Sequence, residues 1–290
     1  MITPALYMPT VTALIDDDSL YIENIADLLP SELSPRVVEP EELHLGNEHL
    51  FCLATEKNTH NYSSKSSLLK YFKDNIKNPP VSTLVVDYGM RPIDGLEILK
   101  NINSPFIQKI LISNLVSKER VIEAINSGII HCYISKIDQN FIDTLAHGIK
   151  RAQINFFRQL STLFPDFYCE ENPLLEPESS KIFSLIQTQH NAQYYEPIDS
   201  FKRFIFYNDR FENLVNLEIV SEEHISALIS GHHGESTPNE IIELIKSGAA
   251  IPCFMNDRLP DGKVWHKFLR ASHILHGKKK YFYSIHKDLT

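Results

Sequence analysis

The chain has 290 residues, 43% hydrophobic and 22% charged, with a net charge of −9. A single core rarely grows beyond roughly 250 residues, so two domains and a connector are expected, with enough apolar material to exclude disorder over most of the length. No stretch approaches the roughly 18 apolar residues of a membrane span, and the N-terminus has neither a basic leader region nor a small-residue cleavage site, so a cytoplasmic protein without membrane contact is expected.

The acidic balance is shared almost evenly by the two halves, which argues against nucleic acid as a partner. A basic run from 258 to 287 is the local exception, and it reads as a solvated sheet face or a protein contact. Cys52, Cys132, Cys169 and Cys253 are too far apart for a CxxC-type metal site and too few for a disulfide framework, so reduced thiols are expected.

From residue 11, VTALI reads as a short strand, DDDS as a loop and LYIENIADLL as a helix capped by Asp or Ser. The alternation repeats in RVV and SSLLKYFKDNIK, TLVVD and DGLEILKNI, KILIS and KERVIEAINSG, and CYIS and FIDTLAHGIKRAQ. Strands that alternate with helices in this way predict an α/β fold: an open, doubly wound sheet of five mainly parallel strands with helices on both faces. In such a sheet the working site lies outside the carboxyl ends of the strands.

Those ends carry Asp16, Asp17 and Asp18 after the first strand, Asp87 after the third, Ser113 after the fourth and Lys136 after the fifth. Carboxylates brought together from two strand ends repel one another unless a divalent cation shares them, and hard oxygen donors suit Mg²⁺. An Asp carboxylate is also a competent nucleophile toward phosphorus, with the hydroxyl and ammonium left to neutralise charge on the transferring oxygens. Each residue alone is better explained as a cap, a turn residue or a solvated charge. Their joint order carries the reading.

IDDDS, VVDYGMRPIDGLEIL, ILIS and YISK together resemble the receiver domains of bacterial two-component response regulators, over roughly residues 9 to 150. The resemblance implies a flavodoxin-like five-stranded parallel sheet, with Asp87 as the phosphoacceptor, Asp17, Asp87 and the Gly89 carbonyl holding Mg²⁺, and Asp16 acting through water. It implies further that Ser113 and Lys136 sense the phosphoryl group and that Tyr133 is the aromatic switch residue. A sensor histidine kinase or phosphotransfer protein would be the partner. Three departures stand out: a long segment between Asp17 and Asp87, with a hairpin expected around Gly46 and Asn47; Ile137 where receivers usually have proline; and Arg91 ahead of Pro92.

Beyond Lys136, apolar residues at Leu145, Ile149, Ala152, Phe156 and Leu160 fall on one helical seam, expected to outrun the receiver and either pair with a second copy, giving a homodimer, or pack within the chain. PDFYCEENPLLEPESS reads as a linker. The division expected is a receiver over 1–150, a connecting helix and linker over 151–178, and a smaller α+β domain with an antiparallel sheet over 179–290. In that last part FIFYNDRFENLV, RLPDGKVWHKFLRASHIL and GKKKYFYSIHKDLT resemble a PAS domain, with DRFENLV as a helix after an Asn-Asp strand end. The helix has no cysteine for a flavin adduct, and His224, His232 and His233 are better read as surface or packing residues than as haem ligands, so no PAS ligand is assigned. The function expected is a phosphorylation switch rather than an enzyme, with a DNA-binding regulator or a receiver-controlled enzyme as alternatives. GHHGES, near residue 231, lacks an oriented acid and reads as a loop.

Overall fold

The computed structural model describes residues 2–40, 63–164, 166–170, 172–198, 201–230, 238–253 and 267–287. The chain forms two compact units, Met8–Phe164 and a second that joins the first seven residues to everything after Phe164.

The first unit alternates strand and helix as expected. Its strands are β1 Val11–Ile15, β2 Pro35–Val37, β3 Val81–Asp87, β4 Gln108–Ser113 and β5 Cys132–Ser135. Its helices are α1 Ser19–Leu28, α2 Ser63–Asp74, α3 Gly95–Asn101, α4 Lys118–Asn126 and α5 Phe141–Ser161. The five strands are all parallel in the order β2-β1-β3-β4-β5. Because successive side chains on a strand alternate in direction, β1 sends Leu14 to one face and Ala13 and Ile15 to the other. Leu14, Val85, Ile110, Ile112 and Ile134 pack with Ile22 and Ile25 of α1 and Leu145, Ile149 and Ala152 of α5. Ala13, Ile15, Leu84, Val86 and Leu111 pack with Leu99 of α3 and Ala124 of α4. Side chains close the helix starts: Asp18 accepts from the Tyr21 N–H, Asp94 from the Glu97 N–H and Ser117 from the Arg120 N–H.

The seam of α5 corrects an expectation. Leu145, Ile149, Phe156 and Leu160 are fully buried and Ala152 nearly so, all within one chain, and Phe157 meets Phe72 of α2 at 5.7 Å. The helix therefore offers no uncovered apolar strip to a second copy, and the homodimer expected through it loses its physical ground. A 3.5–3.6 residue period reports that a helix has an apolar face, and here that face covers the chain's own sheet.

The second unit holds α6 Ser179–His190, β6 Tyr194–Pro197, β7 Arg203–Tyr207, β8 Asn213–Ser221, α7 Glu222–Ser230, α8 Asn239–Lys246, β9 Ala250–Pro252, β10 Leu269–Ala271, β11 His273–His276 and β12 Lys280–His286. Its main sheet is antiparallel in the order β11-β12-β8-β7-β6, beside a two-stranded β9-β10 pair. Phe183 of α6 packs on one face, 4.8 Å from the ring of Tyr195 and 5.0 Å from that of Phe204. The opposite face is apolar at one end, where Val220 and Phe282 meet Ile225 of α7, Ile241 and Ile245 of α8 and Ile251 of β9.

Here the PAS resemblance fails at one of its features. DRFENLV is not a helix but the turn and first residues of a β7–β8 hairpin. The Asn208 side chain closes that turn by accepting from the N–H groups of Arg210 and Glu212, and Phe211, at φ 64°, stacks on Tyr207 at 4.6 Å. The hairpin expected around Gly46, His232 and His233 within GHHGES, and residues 258–266 of the PAS-like run RLPDGKVWHKFLRASHIL lie outside the described residues. Among those described, no helix is long and apolar enough to cross a membrane.

Candidate functional site

The parallel sheet changes direction of winding between β1 and β3, and the crevice at such a switch point opens at the carboxyl ends of the strands. β3 ends on Asp87, itself buried to 7% exposure, and β1 runs straight into Asp16 and Asp17. One carboxylate oxygen from each of Asp16, Asp17 and Asp87 falls within 4.8 Å of the others. Such an all-oxygen group, with Asp17 exposed and so open to water, fits a hard divalent cation such as Mg²⁺.

Lys136, in the loop after β5, joins this group. Its Nζ lies 2.7 Å from Asp87 Oδ1 and 2.8 Å from Asp16 Oδ2, and 4.4 Å from the ring centre of Tyr21. Burial works against the ammonium, but the two carboxylates outweigh it and hold the Lys136 pKa above its ordinary value. Burial likewise pushes the Asp16 carboxyl up, and the lysine and the Asp18 N–H offset only part of that. The second Asp87 oxygen accepts from the Gly89 N–H at 2.5 Å, and Arg91 N–H donates to Asp17 at 3.3 Å. The loop after β3 therefore folds back over the carboxylates.

Ser113 ends β4, buried, with its hydroxyl oxygen accepting from the Leu115 N–H at 2.9 Å and its carbonyl accepting from the Lys136 N–H at 3.0 Å. Tyr133, half-buried on β5, donates its hydroxyl to the same carbonyl at 3.1 Å. Of the six residues singled out at strand ends, Asp16, Asp17, Asp87, Ser113 and Lys136 thus belong with Gly89 and Tyr133 to one neighbourhood, linked by hydrogen bonds through Ser113 and Lys136, while Asp18 caps α1.

Two further residues support the site: Gly95, which the sequence reading had with Met90 and Asp94 in the loop signature after Asp87, and Arg120, which it passed over. Gly95, the first residue of α3, sits so close to β3 that a Cβ there would fall 1.9 Å from the Asp87 carbonyl oxygen, so only glycine lets the helix abut the strand that carries Asp87. Arg120 of α4 hydrogen-bonds the Tyr88 hydroxyl, lies over the Tyr88 ring at 5.4 Å and pairs with Asp94 at 3.3 Å. The Asp94, Gly95 pair was visible as a loop signature. Nothing in the sequence pointed to Arg120, whose partners lie 26 and 32 residues away in the chain.

No protein-family model matches the chain, and no curated protein matches it. Among solved structures it is similar to the Legionella pneumophila response regulator LqsR, at 21% identity and a TM-score of 0.81, over 99% of this chain and 90% of that one. The receiver domain of Francisella response regulator 1452 matches at 21% identity over 50% of this chain and 97% of its own, with a TM-score of 0.32. A response regulator receiver domain protein from Clostridium thermocellum matches at 22% identity over 52% and 99%, with a TM-score of 0.34. Over nearly its whole length, then, this chain shares the fold of the Legionella response regulator: a flavodoxin-like parallel sheet followed by a separate antiparallel-sheet unit.

Proposed function

We propose that this chain is a response regulator that accepts a phosphoryl group on Asp87 and passes the signal to its antiparallel-sheet unit as a changed protein-protein interface. The observation that carries this reading is the pairing of the Lys136 ammonium with both Asp87 and Asp16, beside a third carboxylate, at the winding switch of a parallel sheet. Asp87 is the nucleophile: one of its oxygens forms the new bond to phosphorus while the donor's bond breaks and the donor leaves with that electron pair. Asp17, Asp87 and the Gly89 carbonyl would hold Mg²⁺, with Asp16 acting through water, and the ion would supply charge neutralisation for the transferring oxygens. On transfer, Lys136 keeps its contact with the new phosphoryl oxygens, and Ser113 turns its hydroxyl from the Leu115 N–H toward them. Tyr133, held at the Ser113 carbonyl, then responds to that movement. The phosphoryl source is a sensor histidine kinase or a phosphotransfer protein.

Incubation with a small phosphodonor and Mg²⁺ should add one base-labile phosphoryl group per chain. Asp87→Asn should abolish labelling and Asp17→Ala should weaken it. Labelling that survives Asp87→Asn unchanged would overturn the assignment.

A further inference from the structure

The antiparallel unit carries a second cluster with metal-ligand chemistry. Side chains on a strand alternate in direction, so Asn216 and Glu218 of β8 share a face with the residues across from them on β12, His286 and Ser284. Arg203 of β7 lies across from Glu218 on the other side. This is the face that Val220 and Phe282 continue into the apolar contacts of α7, α8 and β9. Cys253 follows β9 immediately, held by its N–H to the Phe268 carbonyl at 2.7 Å.

A Glu218 oxygen, the Cys253 Sγ and a His286 ring nitrogen all lie within 4.8 Å of one another, and His286 Nε2 is 3.9 Å from Glu218 Oε2. The Glu218 side chain is 7% exposed, and its Oε2 has no hydrogen-bond partner among the described residues. Leaving a buried carboxylate oxygen unmatched is costly, and a separation of 3.9 Å is too long for a hydrogen bond to repair it. Asn216, on the same face, also has both polar atoms of its amide buried without a partner among the described residues. The Glu218 carboxylate has the Cys253 thiol as a hydrogen-bonding neighbour, but its unmatched Oε2 beside the unmatched Asn216 amide points to a ligand that this face is built to take.

We infer that Glu218, Cys253 and His286 form a binding site for a borderline-soft divalent cation of the Zn²⁺ type. Carboxylate, thiolate and imidazole are its ordinary ligands, and bond lengths of about 2.0–2.3 Å in a tetrahedral arrangement hold donor atoms roughly 3.3–3.6 Å apart, so the 3.9 Å between Glu218 and His286 would close by about half an ångström on binding. Hard ions such as Mg²⁺ are poorly served by sulfur and nitrogen, which separates this site from the oxygen-only cluster at Asp16, Asp17 and Asp87. Binding releases the Cys253 thiol proton to solvent. Thiolate and carboxylate then neutralise the ion, which keeps it compatible with the neighbouring Arg203 and Arg270 guanidiniums. Three protein ligands leave one position of a tetrahedron open to water or to a small donor.

The full chain, stripped with a chelator and titrated with Co²⁺ as a spectroscopic probe, should bind one ion with a thiolate-to-metal charge-transfer band, and Zn²⁺ should displace it. Cys253→Ser should remove the band while Mg²⁺-dependent labelling at Asp87 persists. His286→Ala should weaken Zn²⁺ binding by more than the roughly 10–100-fold that losing an outer-shell partner costs. The absence of a charge-transfer band in the wild-type protein, or a band that survives Cys253→Ser, would overturn the inference without touching the role of Asp87.

Discussion

Gly95→Ala isolates the packing that supports the strand carrying Asp87. Two effects oppose each other. Replacing glycine by alanine at the start of α3 favours the helix by at most about 1 kcal/mol. Against this, the new methyl would fall 1.9 Å from the Asp87 carbonyl oxygen, 2.8 Å from its carbonyl carbon and 3.0 Å from Val86 Cγ1. To reach the 3.4 Å at which ordinary contact begins, α3 or β3 must yield by about 1.5 Å, and the obstacle is backbone rather than the end of a flexible side chain. Overpacking of this kind costs about 1–3 kcal/mol and occasionally more, so the clash outweighs the propensity gain and a net loss of about 1–2 kcal/mol is expected. In a unit of this size each kcal/mol lowers the melting temperature by roughly 2–4 °C. Urea and thermal unfolding followed by circular dichroism read the loss, and phosphodonor labelling reads its effect at Asp87. A variant as stable as the wild type or more so, labelled at the same rate, would refute the claim that this approach is tight.

Other outcomes follow from the same reasoning. Gly128 and Gly248 both have φ near +70°, but among the described residues a Cβ at Gly128 meets nothing within 4 Å while one at Gly248 would lie 2.2 Å from the Phe282 ring. Gly128→Ala should therefore cost about 1–2 kcal/mol of backbone strain alone, and Gly248→Ala clearly more, compared by denaturant midpoints. Phe156→Ala should destabilise the first unit by about 3–5 kcal/mol in unfolding experiments, as loss of a buried ring does, and light scattering should show no change of oligomeric state in the folded fraction. Lys109 is buried with its Nζ donating to the Leu99 and Ile102 carbonyls, and burial lowers its pKa below the ordinary 10.5. The native state therefore holds that proton less tightly than the unfolded chain. The penalty is full below the lowered native value and is relieved as pH rises toward 10.5, so wild type should gain stability relative to Lys109→Met across that window. A difference between the two that stays constant with pH would count against it.

The parallel sheet and its site were legible because they depend on local order. Short β-branched runs followed by capped amphipathic helices admit few topologies, and in a doubly wound sheet every strand end falls on one edge, so Asp16, Asp17, Asp87, Ser113 and Lys136 had to meet there. What covers an apolar face is a different question. The period of α5 revealed its seam, but only the tertiary structure shows Leu145, Ile149 and Phe156 spent within the chain, because periodicity names a buried face and not its occupant. DRFENLV carries helix-compatible residues, yet the Asn208 side chain and the pairing of β8 with both β7 and β12 hold it in a hairpin, long-range pairing overriding weak local preference. Arg120 beside Tyr88, and Glu218 with Cys253 and His286, come together across gaps of tens of residues. No spacing rule relates such residues; strand register and loop return bring them together, and those are properties of the folded chain alone.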